Sequence, residues 1–280
     1  PFPVAIVQHG HSASKETALY LADTLAREGM ALLAMDLYGH GERQEDEEDI
    51  LDLDDARCMR DRMLQQASDH FHLIQALRAL SVVDVIPLAV GDGFSDIDVT
   101  RLGYIGESLG GMTGAVTTAL EPTFHGVVLN VTGGALSGLY TSFLGNLGDA
   151  YALKVAEVEI ALQMLIDPAD PINFVPRYRE GSGKQLLMQE VVDDDTVDNS
   201  TTEALARAAE LPQIEPIHRP IAGLRTLPAP AYRYGITQFD PAKHGFLLAE
   251  PDHPEASEEA RAQAAYFLRT LYWTWVGIIQ

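Results

Sequence analysis

The sequence predicts an α/β protein built on a mostly parallel, doubly wound sheet with a helical insertion. Three observations carry that expectation. Apolar runs such as "FPVAIVQ", "GYIGE" and "HGVVLNV" have the look of strands buried on both faces. They alternate with segments whose apolar residues recur at helical spacing, the pattern of a parallel sheet covered by helices. Between one such strand and its helix stands Gly106-Glu107-Ser108-Leu109-Gly110, a serine at a strand-to-helix join with glycines two residues to either side.

In chain order, "FPVAIVQHG" reads as a buried strand ending at a Gly-containing turn. "KETALYLADTLAREG" follows as a helix, with Gly29 as its stop signal. "MALLAMDLYGHGE" reads as a second strand running into a glycine-rich loop. Residues 56–80 carry a long helical pattern with Met59, Met63, Phe71, Ile74 and Leu77 among its apolar positions. "RLGYIGE" is a third strand, "GGMTGAVTTALE" its helix and "HGVVLNV" a fourth strand. From 135 to 180 the rhythm changes: "YALKVAEVEIALQMLI" is a helix that opens no strand, and "DPADPINFVPRY" is a proline-rich return. This region reads as a helical cap, leaving 1–134 and 181–280 as the core. The alternation resumes with "KQLLMQEVV", the helix "STTEALARAAEL", the strand "AYRYGITQF" and a closing helix over 255–273.

Composition narrows the function. At 280 residues and 46% apolar the chain can bury a sizeable core. Its formal net charge is −22, which repels nucleic acid and anionic membrane surfaces. Cys58, the single cysteine, excludes an intrachain disulfide and a cysteine cluster for zinc. No run of about 18 apolar residues is present, so no membrane span is expected. The chain opens at Pro1, without a methionine, and reads as a processed product or a fragment.

In open parallel sheets, ligands sit at the carboxyl ends of the strands. Ser108 follows the third strand there, His9-Gly10-His11 the first, and Asp193-Asp194-Asp195 follows "LLMQEVV". His244, inside "DPAKHGF", follows "AYRYGITQF". Ester hydrolysis by serine needs such a set. An imidazole must take the hydroxyl proton, a carboxylate must hold the imidazole, and two fixed donors must stabilise the oxyanion. The order Ser, Asp, His is one of the known arrangements of these groups along a chain.

With these residues in view, the chain resembles the α/β-hydrolases, closest to bacterial esterases and lipases. The matching marks are "VQHGHS", "DLYGHGER", "GYIGESLGGM", "DDDTVDNST" and "KHGF", which span nearly the whole chain. The resemblance implies Ser108 as nucleophile, His244 as general base and acid, and the backbone N–H groups of His11 and Leu109 as the oxyanion hole. For the acid it implies Asp194, with Asp195 second and Asp193 third. The glycine usual ahead of the acid is absent, since "QEVVDDD" stands there, and the chain begins at the "HG" strand where the family has earlier strands.

Other residues have plainer readings. His9 fixes the turn after the first strand, and His40 positions the loop after Asp36. His70 and His72, at i and i+2, lie on different faces of their helix and share no metal. The acidic run from Glu42 to Asp55 lacks the spaced ligands of a calcium loop and reads as a solvated face. His253, before Pro254, suits a surface loop, and the aromatic end "YFLRTLYWTWVGI" suits a helix packed on the sheet.

The expectation is therefore a serine carboxylic-ester hydrolase that forms an acyl-enzyme, takes a small-molecule ester and needs no metal or organic cofactor. Leu139, Phe143, Leu162 and Leu165 of the cap are expected to line an acyl pocket, with Tyr140, Leu144, Leu147, Ile160 and Met164 adding to its apolar character. The alternatives are an amidase or peptidase with the same triad, and an inactive hydrolase-fold binding module. The resemblance leans slightly toward an exported or envelope protein.

Overall fold

The computed structural model describes residues 1–44, 55–84, 93–139, 152–181, 183–249 and 252–280, with the backbone alone for 152–156. Most of the acidic run, together with Tyr140, Phe143, Leu144 and Leu147 of the expected pocket, lies outside the described residues.

The chain opens with β1 (Phe2–Gln8), a 3-10 turn at Lys15–Ala18, α1 (Leu19–Arg27) and β2 (Ala31–Leu33). Then come α2 (Ala56–Leu80), β3 (Ile97–Glu107), α3 (Leu109–Leu120) and β4 (Phe124–Asn130). Between β4 and the next strand stand α4 (Ala152–Ile166) and 3-10 turns at Asp167–Ala169, Pro171–Asn173 and Val175–Tyr178. The remainder is β5 (Gln185–Val191), α5 (Asn199–Ala208), β6 (Gln213–Ile214), β7 (Thr226–Leu227), β8 (Ala231–Tyr232), β9 (Tyr234–Phe239), α6 (Pro254–Thr274) and β10 (Ile278–Ile279). Eight strands pair in the order β2-β1-β3-β4-β5-β9-β6-β7, every pairing parallel, while β8 and β10 form a separate antiparallel pair.

Strand side chains alternate between two covered faces. Val7, Ile105, Val128, Leu187 and Phe239 face a cluster closed by α1 and α6. Ile6, Tyr104, Val127, Leu129, Leu186, Met188 and Ile236 face a second cluster closed by α2, α3 and α5. Each large aliphatic or aromatic side chain buried in this way contributes about 2 kcal/mol, which is why these strands are apolar throughout. A third cluster gathers Leu37, Met59, Met63, Leu109, Met112, Leu136, Ile166, Ala169 and Val197 above α3.

Several strands differ from the sequence expectation. The second strand stops at Leu33, and the chain is then captured by the buried carboxylate of Asp36. That group accepts from the Lys15 and Glu42 backbone N–H groups and from Lys15 Nζ. "AYRYGITQF" divides at Arg233, whose φ of 70° turns the strand and whose N–H donates to Gly277 O. The short β6 and β7 have two residues each, too few to show a period, and were not expected.

Candidate active site

Ser108 sits at the end of β3 with φ 53° and ψ −119°, a conformation non-glycine residues avoid. Sterics around it explain the flanking glycines. A Cβ on Gly106 would stand 2.4 Å from Gly110 O, and one on Gly110 would stand 2.5 Å from both Gln8 O and His9 O. The backbone is held in turn by Ser108 N–H donating to Asn130 O at 2.9 Å, and by Tyr104 Oη donating to Gly110 O at 2.7 Å. The turn is therefore wedged between β1, β4 and the Tyr104 ring.

His244 reaches this serine from the loop after β9. Its Nε2 lies 2.9 Å from Ser108 Oγ and its Nδ1 lies 2.8 Å from Asp194 Oδ2. An ionised carboxylate only accepts, so Nδ1 carries the hydrogen and Nε2 presents its lone pair to the serine hydroxyl. The Asp194 side chain is 2% exposed and the His244 side chain 15%.

Three adjacent aspartates take three directions. Asp193 has φ 56° and pairs with Arg219 at 2.9 Å, at the surface. Asp195 accepts from Thr196 Oγ1. Asp194 turns inward, and its second oxygen accepts from the Thr196 and Val197 backbone N–H groups. Its own N–H donates to Asn199 Oδ1, and Asn199 Nδ2 donates to Glu190 Oε1 and Val191 O. Burial raises Glu190 to about 7, against hydrogen bonds from Gln238 and Asn199 and with Glu203 nearby.

The turn after β1 passes beside the serine: a Cβ on Gly10 would lie 3.1 Å from Ser108 Cβ and 3.7 Å from Ser108 Oγ. His9 accepts at Nε2 from Leu37 N–H, so its Nδ1 hydrogen goes to Gly10 O at 2.8 Å. Burial lowers its pKa, consistent with a neutral ring that braces this turn. His40 contacts Tyr38 O through Nδ1 and packs its ring on those of His9 and His11. The backbone N–H of Leu109, the first residue of α3, stands immediately after the serine.

Of the expected pocket residues, Leu139 and Leu162 pack on the third cluster beside Leu109 and Met112. Leu165 does not join them. The inward stripe of α4 runs through Leu162 and Ile166, and Leu165 falls off it at 41% exposed, alongside exposed Ile160 and Met164. Within 135–180, Val175 and Tyr178 belong to the main cluster against the sheet. The return is anchored by Asp170, a fully buried carboxylate that accepts from the backbone N–H groups of Ala135, Leu136 and Ile172 and from Gln163 Nε2. One residue thus ties both ends of the segment together.

His253 stands at the N-terminal boundary of α6. On α2, His70 is buried and lowered to about 4 by that burial, whereas His72 is exposed. No group of three or more His, Cys, Asp or Glu that could hold a metal ion occurs among the described residues. No helix among them is long and apolar enough to cross a membrane.

With the geometry in place, comparison with known proteins is informative. No family model matches the sequence, and no curated protein matches it. Solved structures do match. A putative dienelactone hydrolase from Klebsiella pneumoniae aligns over 98% of this chain and 86% of its own, at TM-score 0.55 and 17% identity. An acetyl xylan esterase from a Paenibacillus species aligns over 93% of this chain and 73% of its own, at TM-score 0.55 and 17% identity. An esterase from Pyrococcus furiosus aligns over 95% of this chain and 82% of its own, at TM-score 0.51 and 15% identity. The fold is that of the α/β-hydrolases. In this α/β-hydrolase fold Ser108, Asp194 and His244 stand after β3, β5 and β9, at the carboxyl edge of the sheet.

Several residues of the site were not singled out by sequence reasoning. Glu107 lies inside the glycine-flanked motif and Asn199 inside "DDDTVDNST" without a role assigned to either, and Glu190 and Asp170 stand outside both. For Glu107 and Glu190 the available signal was a polar side chain at the end of an otherwise apolar strand, as in "GYIGE" and "LLMQE"; Asn199 and Asp170, off the strands, carried none.

Proposed function

We propose that the protein is a serine hydrolase that cleaves carboxylic esters through an acyl-enzyme. The observation that carries this reading is the His244 ring spanning Ser108 Oγ and Asp194 Oδ2 at 2.9 and 2.8 Å. In this reading Nε2 takes the hydroxyl proton as Oγ attacks the ester carbonyl, and Asp194 stabilises the imidazolium that forms. The tetrahedral oxyanion is received by the N–H groups of Leu109 and His11, each contributing about 3 kcal/mol to the transition state. The imidazolium then protonates the departing alcohol. A water activated by the same Nε2 releases the acid and regenerates Ser108.

In this reading the described part of the insertion from Leu136 to Leu139 and along α4 caps the serine, with Leu139 and Leu162 on the acyl side. That apolar lining favours short-to-medium acyl chains. Esterases among the fold neighbours support an ester as substrate, and the neutral oxyanion site requires neither metal nor organic cofactor. The test is hydrolysis of p-nitrophenyl esters from acetate to palmitate by the protein and by Ser108→Ala, with fluorophosphonate labelling alongside. Activity and labelling lost together in the variant are expected, with an optimum at short or medium chains. Labelling without ester turnover would point to an amidase, and neither would point to an inactive binding module.

A further inference from the structure

A buried row of polar side chains crosses the sheet beneath the serine. Strand register places Glu107 opposite Asn130, Asn130 opposite Gln189 and Gln189 opposite Thr237, all on the face covered by α6. The direction of the hydrogen bonds along this row is set at one end by the backbone. Gln189 Nε2 donates to Ala260 O, a group that can only accept, so Gln189 Oε1 faces Asn130 and accepts from Asn130 Nδ2. This leaves Asn130 Oδ1, a fully buried acceptor, without a hydrogen-bond partner.

The neighbour at the same level, one strand spacing of about 4.8 Å away, is Glu107. A buried acceptor left unmet costs about 1–3 kcal/mol, and an ionised carboxylate beside it would add repulsion. A carboxylic acid meets it. The other oxygen, Glu107 Oε2, accepts from the backbone N–H groups of Leu247 at 3.1 Å and Leu248 at 3.0 Å. These residues lie three and four positions after His244. The same stretch is gripped from α6, where Arg261 donates to Leu247 O and Ala249 O.

We propose that Glu107 is a neutral carboxylic acid that donates its hydrogen to Asn130 Oδ1 and, through Leu247 and Leu248, holds the loop carrying His244 against Ser108. Glu107 is thus a positioning residue for the base. Burial raises its pKa above the ordinary glutamate value of 4.5, against the two backbone hydrogen bonds and the basic groups that face it, the His244 ring from its own loop and the Arg261 guanidinium from α6. Its importance to turnover rests on the triad reading above; its protonation state does not.

The test has two arms. Denaturant unfolding of the protein and of Glu107→Gln is followed from pH 4 to pH 9. A neutral Glu107 binds a proton in the folded state that the unfolded chain releases above about 4.5. The unfolding constant of the protein relative to the glutamine variant therefore rises by up to tenfold per pH unit above that point, until the folded group itself ionises. A ratio flat with pH overturns the proposal. In the second arm, Glu107→Gln, which keeps an acceptor for the loop and a donor for Asn130, retains kcat within about threefold. Glu107→Ala frees the loop and loses kcat by about a hundredfold, the scale of a misplaced catalytic group. Equal loss in both variants, or a moved acid limb of the kcat/KM profile in Glu107→Gln, would show that a charge is required and overturn the proposal. Ester turnover that survives Ser108→Ala would sink the function reading instead and leave the unfolding arm to decide Glu107.

Discussion

The serine turn and the acid loop both deliver one side chain to His244, but they are held by different forces. The serine turn is fixed by lack of space: Gly106 and Gly110 press against backbone atoms at distances a Cβ could not tolerate. The acid loop is fixed by hydrogen bonds, from Thr196 and Val197 to Asp194 and from Asp194 through Asn199 to Glu190. Steric fixation demands one residue type at each position, whereas hydrogen-bond fixation accepts several. The first leaves a motif in the sequence and the second leaves almost none.

The largest effects fall on the groups both regions deliver. Ser108→Ala is expected to lower kcat on the best p-nitrophenyl ester by about 10⁶-fold, because nothing else in the site can attack the carbonyl. Asp194→Asn is expected to cost about 10⁴-fold, since an amide presents the wrong partner to His244 Nδ1. Asp195→Asn, one residue away, should stay within about twofold of the unaltered protein. Among the described residues its carboxylate meets Thr196 Oγ1 alone, and surface changes of this kind alter little. If Asp195→Asn fell as far as Asp194→Asn, the loop would not discriminate between its aspartates, and the comparison would break.

Gly110→Ala attacks the other mode of fixation. The new methyl group would meet Gln8 O and His9 O at 2.5 Å, backbone atoms that cannot step aside as a side-chain tip can. We expect a loss of about 3 kcal/mol or more in unfolding free energy, together with lost turnover. A variant as stable as the unaltered protein would show that the turn has slack.

The same contrast explains what was legible in advance. The parallel sheet covered on both faces followed from apolar runs alternating with helices, because a strand buried on both faces is apolar throughout. Ser108 was legible through its glycines, and His244 through its place after a strand. Among Asp193, Asp194 and Asp195 residue type could not decide; the left-handed turn at Asp193 and the inward hydrogen bonds of Asp194 do. Two-residue strands carry no period, so β6 and β7 were invisible. Leu165 was grouped with Leu162 by composition, whereas the helical stripe separates them.

The smallest expected effect separates the two regions by pH. Glu190 lies under the acid loop with its pKa raised to about 7 by burial, and it meets Asn199 Nδ2 and Gln238 Nε2. A carboxyl group raised in the folded state contributes stability that is fully present below its ordinary value of 4.5 and is lost as pH rises through about 7. The span of the shift sets a ceiling of roughly 3 kcal/mol, at 1.36 kcal/mol per pH unit. The interval from pH 5 to pH 8 leaves out only the lowest part of that span, so about 2.5 kcal/mol is the expected loss across it. Unfolding of the protein against Glu190→Gln over that range reads it directly: the difference should shrink toward high pH in favour of the glutamine variant. A difference constant from pH 5 to pH 8 would mean that Glu190 is ionised throughout. Asn199 and Gln238 would then donate to a carboxylate at every pH in that range, with the charge of Arg219 offsetting its burial.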